Sequence, residues 1–237
     1  MILRQWASYF KTVYGSELPD NYMVFDTETT GLSRDQDLPI EIGHVIVTNR
    51  QVTHRGSFVL NWADDKRVDP WWLAKRLHEC QRSMESRGHA YRFTLDLLRK
   101  EGREPDKVLA FYHELFCRNR EAGGFLVGQN AWFFDAVLLE GCFHQFLRED
   151  FHFGDNELFD AGSMEKACLL EVLPEAHETL KGYFLRLRDI WAKGVRWNLT
   201  DCLLRHGLDK RYNLDLSQAH NAGWDSYACH LLFEDHR

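Results

Sequence analysis

Four carboxylates stand where the surrounding sequence is apolar. Asp26 closes the run Met23-Val24-Phe25, and Glu28 follows two residues later. In extended chain, residues two apart leave the same face, so these two acids project together. Asp135 has Ala131, Trp132, Leu138 and Leu139 at helical neighbour spacing, and Asp225 has Asn221, Ala222, Ala228 and Cys229. Neither set contains a Lys or Arg. A buried carboxylate without a partner is costly unless it takes up a proton. Taken singly, each acid suits a structural role, and Asp225 suits a helix cap. Taken together, four acids from three distant segments point to one site compensated by divalent cations. Only oxygen ligands are on offer, which suits Mg²⁺ or Mn²⁺ rather than zinc.

His220 precedes Asp225 by five residues. On one continuous helix that offset points the two side chains about 140° apart. They share a centre only if His220 lies on the loop before the helix or on its first turn. Asn221 and Gly223 fit such a late start. A His beside a metal-binding Asp is suited to general-base work, because its ordinary pKa lies near neutrality.

These residues need elements to hold them. Met23–Asp26, Ile40–Thr48 and Val52–Asn61 read as strands joined by short turns, hence an antiparallel meander. Thr29-Thr30-Gly31-Leu32 reads as a turn. Asp69-Pro70 is a helix start with a cap and a Pro at the first position, and it leads into Trp72, Leu73 and Leu77. A second helix follows Pro105. Phe125–Gly128 reads as a buried strand that runs into a buried helix capped by Asn130 and reaching about Leu147. A short strand near Leu158–Asp160 and further helices complete the chain. Residues 2–14 carry an apolar helical stripe, so 1–20 is expected to be a helix packed on a single domain, 21–237. Strands first, then strand–helix alternation, predicts an α/β fold with a mixed sheet covered by helices.

Composition limits the function. The 237 residues carry 29 Lys and Arg against 36 Asp and Glu, a formal charge of −7. That excludes a binder that grips nucleic acid by overall positive charge, but not an enzyme whose cations lie at one site. No apolar run is long enough for a membrane span, and no secretory leader is legible. The six cysteines form no CxxC, which predicts reduced thiols and a cytoplasmic setting. Three His-Glu pairs lack a second His at HExxH spacing, so a zinc-protease reading fails.

Three segments carry a family resemblance. Val24-Phe25-Asp26-Thr27-Glu28-Thr29-Thr30-Gly31-Leu32 resembles the first motif of the DEDDh (DnaQ-like) 3′→5′ exonucleases. Gly128-Gln129-Asn130-Ala131-Trp132-Phe133-Phe134-Asp135 resembles the second. Ala219-His220-Asn221-Ala222-Gly223-Trp224-Asp225 resembles the third, with H-x4-D spacing. The resemblance implies a ribonuclease H-like α/β fold, a five-stranded mixed sheet in the order 3-2-1-4-5 flanked by helices. It implies hydrolysis of phosphodiester bonds at 3′ ends, releasing nucleoside 5′-monophosphates with two Mg²⁺ (or Mn²⁺) ions. By the same analogy Asp26, Glu28 and Asp225 hold the metals, Asp135 acts mainly through metal-bound water, and His220 deprotonates the attacking water. Thr29, Thr30, Gly31, Leu32, Asn130 and Phe134 would contact the substrate, with Leu32 near the terminal base. The implied partner is nucleic acid with a free single-stranded 3′ end, DNA first and RNA second, with a polymerase or repair protein as a further candidate. Gln129 departs from the pattern, since relatives often carry His there. The stretch 64–100 and the region between the second and third motifs are long for the family.

Two segments are basic. Residues 181–211 hold eight Lys and Arg against three acids, and 82–103 hold six against three. Each could track a phosphate backbone or could simply be a solvated helix face. Two rival readings are weaker. A haloacid-dehalogenase-like phosphatase is faintly suggested by Asp26-Thr27-Glu28-Thr29 and by Gly154-Asp155 with Asp160, but it leaves His220 and Asp225 unexplained. An inactive nuclease-like adaptor would be expected to have lost an acid, and none is lost.

Overall fold

The computed structural model describes residues 18–175, 177–194 and 196–236. Of the segment 1–20 expected to form the N-terminal helix, residues 1–17 lie outside the described residues. The central sheet has five strands in the order β3-β2-β1-β4-β5, as predicted. β1 (Tyr22–Thr29), β2 (Pro39–Thr48) and β3 (Gln51–Val59) form the antiparallel meander. β4 (Phe125–Gly128) and β5 (Leu158–Asp160) add parallel to β1 and to each other. β1 and β4 are buried on both faces and read as continuous apolar runs, which is the pattern of a sheet covered on both sides. β1 runs three residues beyond the expected Asp26, because pairing with β2 continues through Glu28 opposite Glu41 and Thr29 opposite Pro39.

Helices follow the expected punctuation. α1 (Pro70–Ser86) starts at Asp69, whose carboxylate accepts from the Trp72 amide at 2.7 Å. α2 (Leu95–Glu101) is capped by Thr94, and α3 (Pro105–Glu121) buries Val108, Leu109, Tyr112 and Phe116. After Gly128 the structure differs from the single helix predicted. Asn130 is left-handed (φ 61°) and makes no side-chain cap. A 3-10 turn spans Ala131–Phe133, Phe134 breaks the helical backbone (φ −138°, ψ −71°), and α4 runs only from Asp135 to Cys142. A π-helical turn, Phe143–Leu147, completes the segment. The break moves Asp135 from a helix interior to a helix start, and that start faces β1.

α5 (Ala161–Leu170), α6 (Leu180–Asp189), α7 (Leu199–Arg205) and α8 (Leu208–Arg211) lead to the last helix, α9 (Ala222–Asp235). α9 is apolar nearly all round and lies across β1 and β2. One glycine permits that approach. A Cβ on Gly43 would meet the Ala222 carbonyl oxygen at 2.1 Å. Gly43 pairs with Asp26 in the sheet, so the same contact brings the start of α9 over the carboxyl end of β1. The six cysteines are unpaired. Among the described residues no helix is long and apolar enough to cross a membrane.

Candidate active site

The carboxyl ends of β1 and β4 and the start of α9 meet at a cavity of about 810 Å³. β1 supplies Asp26 and Glu28 on one face. The chain leaving β4 supplies Asp135, which accepts from the Thr27 amide at 3.0 Å and from the Thr27 hydroxyl. α9 supplies Asp225 in its first turn. His220 lies on the loop before α9 in a left-handed conformation (φ 70°), and its amide donates to Asp225 Oδ2 at 2.9 Å. Donor atoms of Glu28, His220 and Asp225 lie within 4.8 Å of one another. All five predicted catalytic residues therefore border one cavity.

The electrostatics are those of crowded like charges. Asp26 is pushed well above the usual carboxylate range, first by burial, then by Asp225, Asp135 and Glu28. Glu28 is raised by burial, then by Asp225 and Glu41, and lies close enough to Asp225 to share a proton. Burial lifts Asp135 and Asp225 each to about 7, against hydrogen bonds from Thr27 and the His220 amide that pull the other way. Among the described residues no Lys or Arg forms an ion pair with any of the four. Such a group is satisfied by protons or by metal cations, and the all-oxygen donor set fits hard divalent ions. His220 is lowered to about 4, mainly by burial, then by His89 and Arg87. Its ring meets that of His89 edge-on at 4.8 Å.

Of the predicted substrate contacts, Thr29, Gly31, Leu32, Asn130 and Phe134 line the cavity. Leu32 is 88% exposed there, although apolar. Thr30 does not join them. It is fully buried, and its hydroxyl bonds Asp37 at 2.9 Å and accepts from the Leu38 amide at 2.9 Å, so it holds the turn together. Gly31 leaves room beside it for the Arg76–Asp37 pair, since a Cβ would stand 2.1 Å from the Arg76 guanidinium and 2.5 Å from the Asp37 carboxylate. Gln129 also borders the cavity, and its side-chain amide donates to the Trp197 carbonyl at 2.7 Å.

Sequence reasoning missed several residues. Glu41 is buried behind the cage, where it accepts from the Ala222 amide at 3.1 Å and from Ser57 at 2.7 Å and pairs with Arg92. Its signal was the same as that of Asp26, a lone acid in the apolar run Ile40-Glu41-Ile42. Arg87, His89 and Tyr91 from the long 64–100 stretch, and Arg196, also line the cavity. No local pattern marked them. Most other cations of the two basic segments are engaged elsewhere: Arg186 with Glu178, Arg205 with Glu165, Arg211 with Asp235, Arg99 with Asp64. The acids of the phosphatase reading also have other duties. Asp155 faces Lys181, and Asp160 caps α5 through the Ser163 amide.

No family model matches the chain, and no curated protein matches it. Solved structures do. Escherichia coli exonuclease I in complex with a dA16 oligonucleotide superposes with a TM-score of 0.56 at 19% identity, over 90% of this chain and 40% of that one. The zinc-bound form of the E. coli exonuclease I–ssDNA complex gives 0.57 at 19% identity, over 92% and 40%. A complex of exonuclease I with SSB-Ct gives 0.54 at 17% identity, over 93% and 42%. The chain thus spans about 40% of the length of the first of these structures. Its fold is the ribonuclease H-like α/β fold of exonuclease I, with the five-stranded sheet in the same order.

Proposed function

We propose that this chain is a divalent-metal-dependent 3′→5′ exonuclease. It hydrolyses phosphodiester bonds at single-stranded 3′ ends, with DNA favoured and RNA also accepted, and releases nucleoside 5′-monophosphates. One observation carries the reading: four carboxylates and a neutral histidine, from three distant segments, surround one open cavity, and among the described residues none of the four acids is ion-paired with a Lys or Arg. The exonuclease I structures support it, since their proteins share the fold and are seen with single-stranded oligonucleotides and with a bound metal ion.

Asp26, Glu28 and Asp225 would hold two ions, Mg²⁺ or Mn²⁺, with Asp135 beside them. Ions held there supply positive charge to an anionic phosphodiester and to a poor leaving alkoxide. The chain's own residues do the rest. Thr27 fixes the Asp135 carboxylate, and Glu41 fixes the start of α9 and so the height of Asp225. His220, held neutral, has a free lone pair with which to take a proton from water. Arg87 and Arg196 meet the phosphates of the incoming strand, and Leu32 offers an apolar edge to the terminal base. A protein partner, as SSB-Ct is in its complex with exonuclease I, or a polymerase or repair protein, completes the proposal.

The test is direct. Single-stranded DNA and RNA and recessed duplexes, labelled at the 5′ end, are incubated with Mg²⁺, Mn²⁺ or EDTA. The expected result is a ladder that shortens from the 3′ end, lost in EDTA and in Asp26→Asn. Activity that persists without metal, or in Asp26→Asn, would rule out the mechanism.

A further inference from the structure

A second cluster of metal-ligand type lies apart from the cavity. Donor atoms of Glu165, His206 and His236 lie within 4.8 Å of one another. Glu165 sits in α5, His206 directly follows α7, and His236 directly follows α9. His236 is eleven residues beyond Asp225, roughly 16 Å along the same helix. We propose that Glu165 Oε2, His206 Nε2 and His236 Nε2 bind one transition-metal ion of the Zn²⁺ class, which fastens the ends of α7 and α9 to α5.

The separations suit such an ion. His206 Nε2 is 3.0 Å and His236 Nε2 3.1 Å from Glu165 Oε2. Ligand atoms around a tetrahedral zinc ion, with bonds of about 2.0–2.1 Å, stand roughly 3.3 Å apart. The two histidine–carboxylate separations fall short of that by a few tenths of an ångström, and the two ring nitrogens lie within 4.8 Å of each other. The tautomer also suits it. His206 Nδ1 is 2.8 Å from Asp235 Oδ2, and a carboxylate can only accept, so Nδ1 carries the hydrogen. That leaves the Nε2 lone pair of neutral His206 facing a carboxylate oxygen, a repulsive contact unless a cation lies between. The Asp235–His206 bond is the arrangement that orients metal-bound histidines.

A proton on His206 would fill that gap, but it would do nothing for His236. The His236 side chain is fully enclosed, and neither ring nitrogen has a hydrogen-bond partner. Its Nε2 lies near Glu165 yet lacks hydrogen-bond geometry. A ligand to a shared ion lies off the line to its fellow ligand, and the approach of His236 to Glu165 without hydrogen-bond geometry accords with that. One metal therefore answers both residues. The surroundings tolerate its charge. Both histidines sit at helix carboxyl ends, where the last carbonyls carry partial negative charge. Arg205 holds the other oxygen of Glu165, and Arg211 holds Asp235. Two imidazoles and one carboxylate favour zinc over Mg²⁺, and water would complete the coordination.

The test uses the full chain without a histidine tag, carrying Asp26→Asn to weaken the oxygen cage. After chelator treatment it is titrated with Zn²⁺ alone and with Co²⁺ alone. Bound metal is counted after gel filtration, and Co²⁺ is followed by its visible absorption. Expected is a tightly held equivalent with the bands of four-coordinate Co²⁺, and one equivalent fewer once His236→Gln is added. Zn²⁺ at about 100 times its dissociation constant should raise Tm by roughly 5 °C or more. Where His236→Gln fails to fold, Asp235→Asn decides, since it keeps all three ligands and should weaken binding about 10- to 100-fold. Absence of a tight equivalent, or stoichiometry and affinity unchanged by His236→Gln and Asp235→Asn, would leave the cluster an ion-pair network and overturn the proposal.

Discussion

The two ends of α9 set similar residue types in opposite surroundings. At its start, Asp225 joins Asp26, Glu28 and Asp135, and each carboxyl is pushed up by burial with little to offset it. At its end, burial would also raise Glu165 and Asp235. There the partners outweigh it: hydrogen bonds from His206 and Arg205 and the nearby His236 ring at Glu165, and hydrogen bonds from Arg211 and His206 at Asp235. Both groups are held below the usual carboxylate range. Burial is common to the two ends, so the neighbours decide the sign. The first cluster opens on a cavity and leaves its charge unmatched, which suits exchangeable ions and an anionic substrate. The second is enclosed and nearly satisfied, which suits a resident ion and a structural duty.

The largest effect should come from exchanging one acid at each end. Asp225→Asn removes a like charge from a repulsive group. Turnover should fall by roughly 10²- to 10³-fold, the loss typical of one electrostatic element in a reaction centre. Yet the metal-free chain should become more stable at pH 8. Glu165→Gln should do the reverse. It removes the shared partner of Arg205, His206 and His236, at a cost of about 2 kcal/mol in urea melts, with turnover per folded molecule unchanged. If both variants moved stability in the same direction, the contrast between the two ends would fail.

A smaller effect separates the histidines. His220→Ala should lower turnover about 10²-fold with substrate affinity little changed, because a general base acts on the bond-making step and not on the bound strand. His206→Asn should leave the pH–rate profile where it is. A wild-type rate in His220→Ala would remove the base from the mechanism, while a shifted profile in His206→Asn would link the far cluster to the reaction.

Much of the site was legible because acids in apolar surroundings are rare and because they sit at ends of regular elements. Asp26 and Glu28 needed only the alternation of a strand. His220 needed only the argument that a five-residue offset cannot share a helix face, and the loop before α9 meets that condition. Asp135 was found for a partly wrong reason. Its apolar neighbours suggested a helix interior, but the break at Phe134 makes it a helix start. The tertiary hydrogen bonds from Thr27 to Asp135 compete there with local helical periodicity. Thr30 was misread because a turn motif does not say which hydroxyl points inward. His89, Arg87 and Arg196 reach the cavity only through the path of long segments, and no residue spacing encodes such a path. The Glu165 cluster brings together three helices separated by up to 71 positions, so it too was invisible in the chain.

The smallest predicted effect, a few degrees in Tm, is the sharpest test of the charge argument. Asp135 and Asp225 sit at about 7, while an unfolded carboxyl titrates near 4. Between those values the folded chain holds more protons than the unfolded one, so these groups lose stability as pH rises through the window. The wild-type slope alone is not diagnostic. His44 and His220, lowered to about 4, contribute the opposite slope up to about pH 6.5, and His206, raised by Glu165, adds to the first. The difference between Asp225→Asn and wild type cancels what the two chains share. In EDTA that difference in Tm should be near zero at pH 5 and should grow to favour the variant at pH 8. Mg²⁺ should raise wild-type Tm more at pH 8 than at pH 5, because a divalent ion then replaces repulsion rather than bound protons. A difference that is flat with pH would mean the four carboxylates do not repel one another in the folded chain, and the case for a cation cage would go with it.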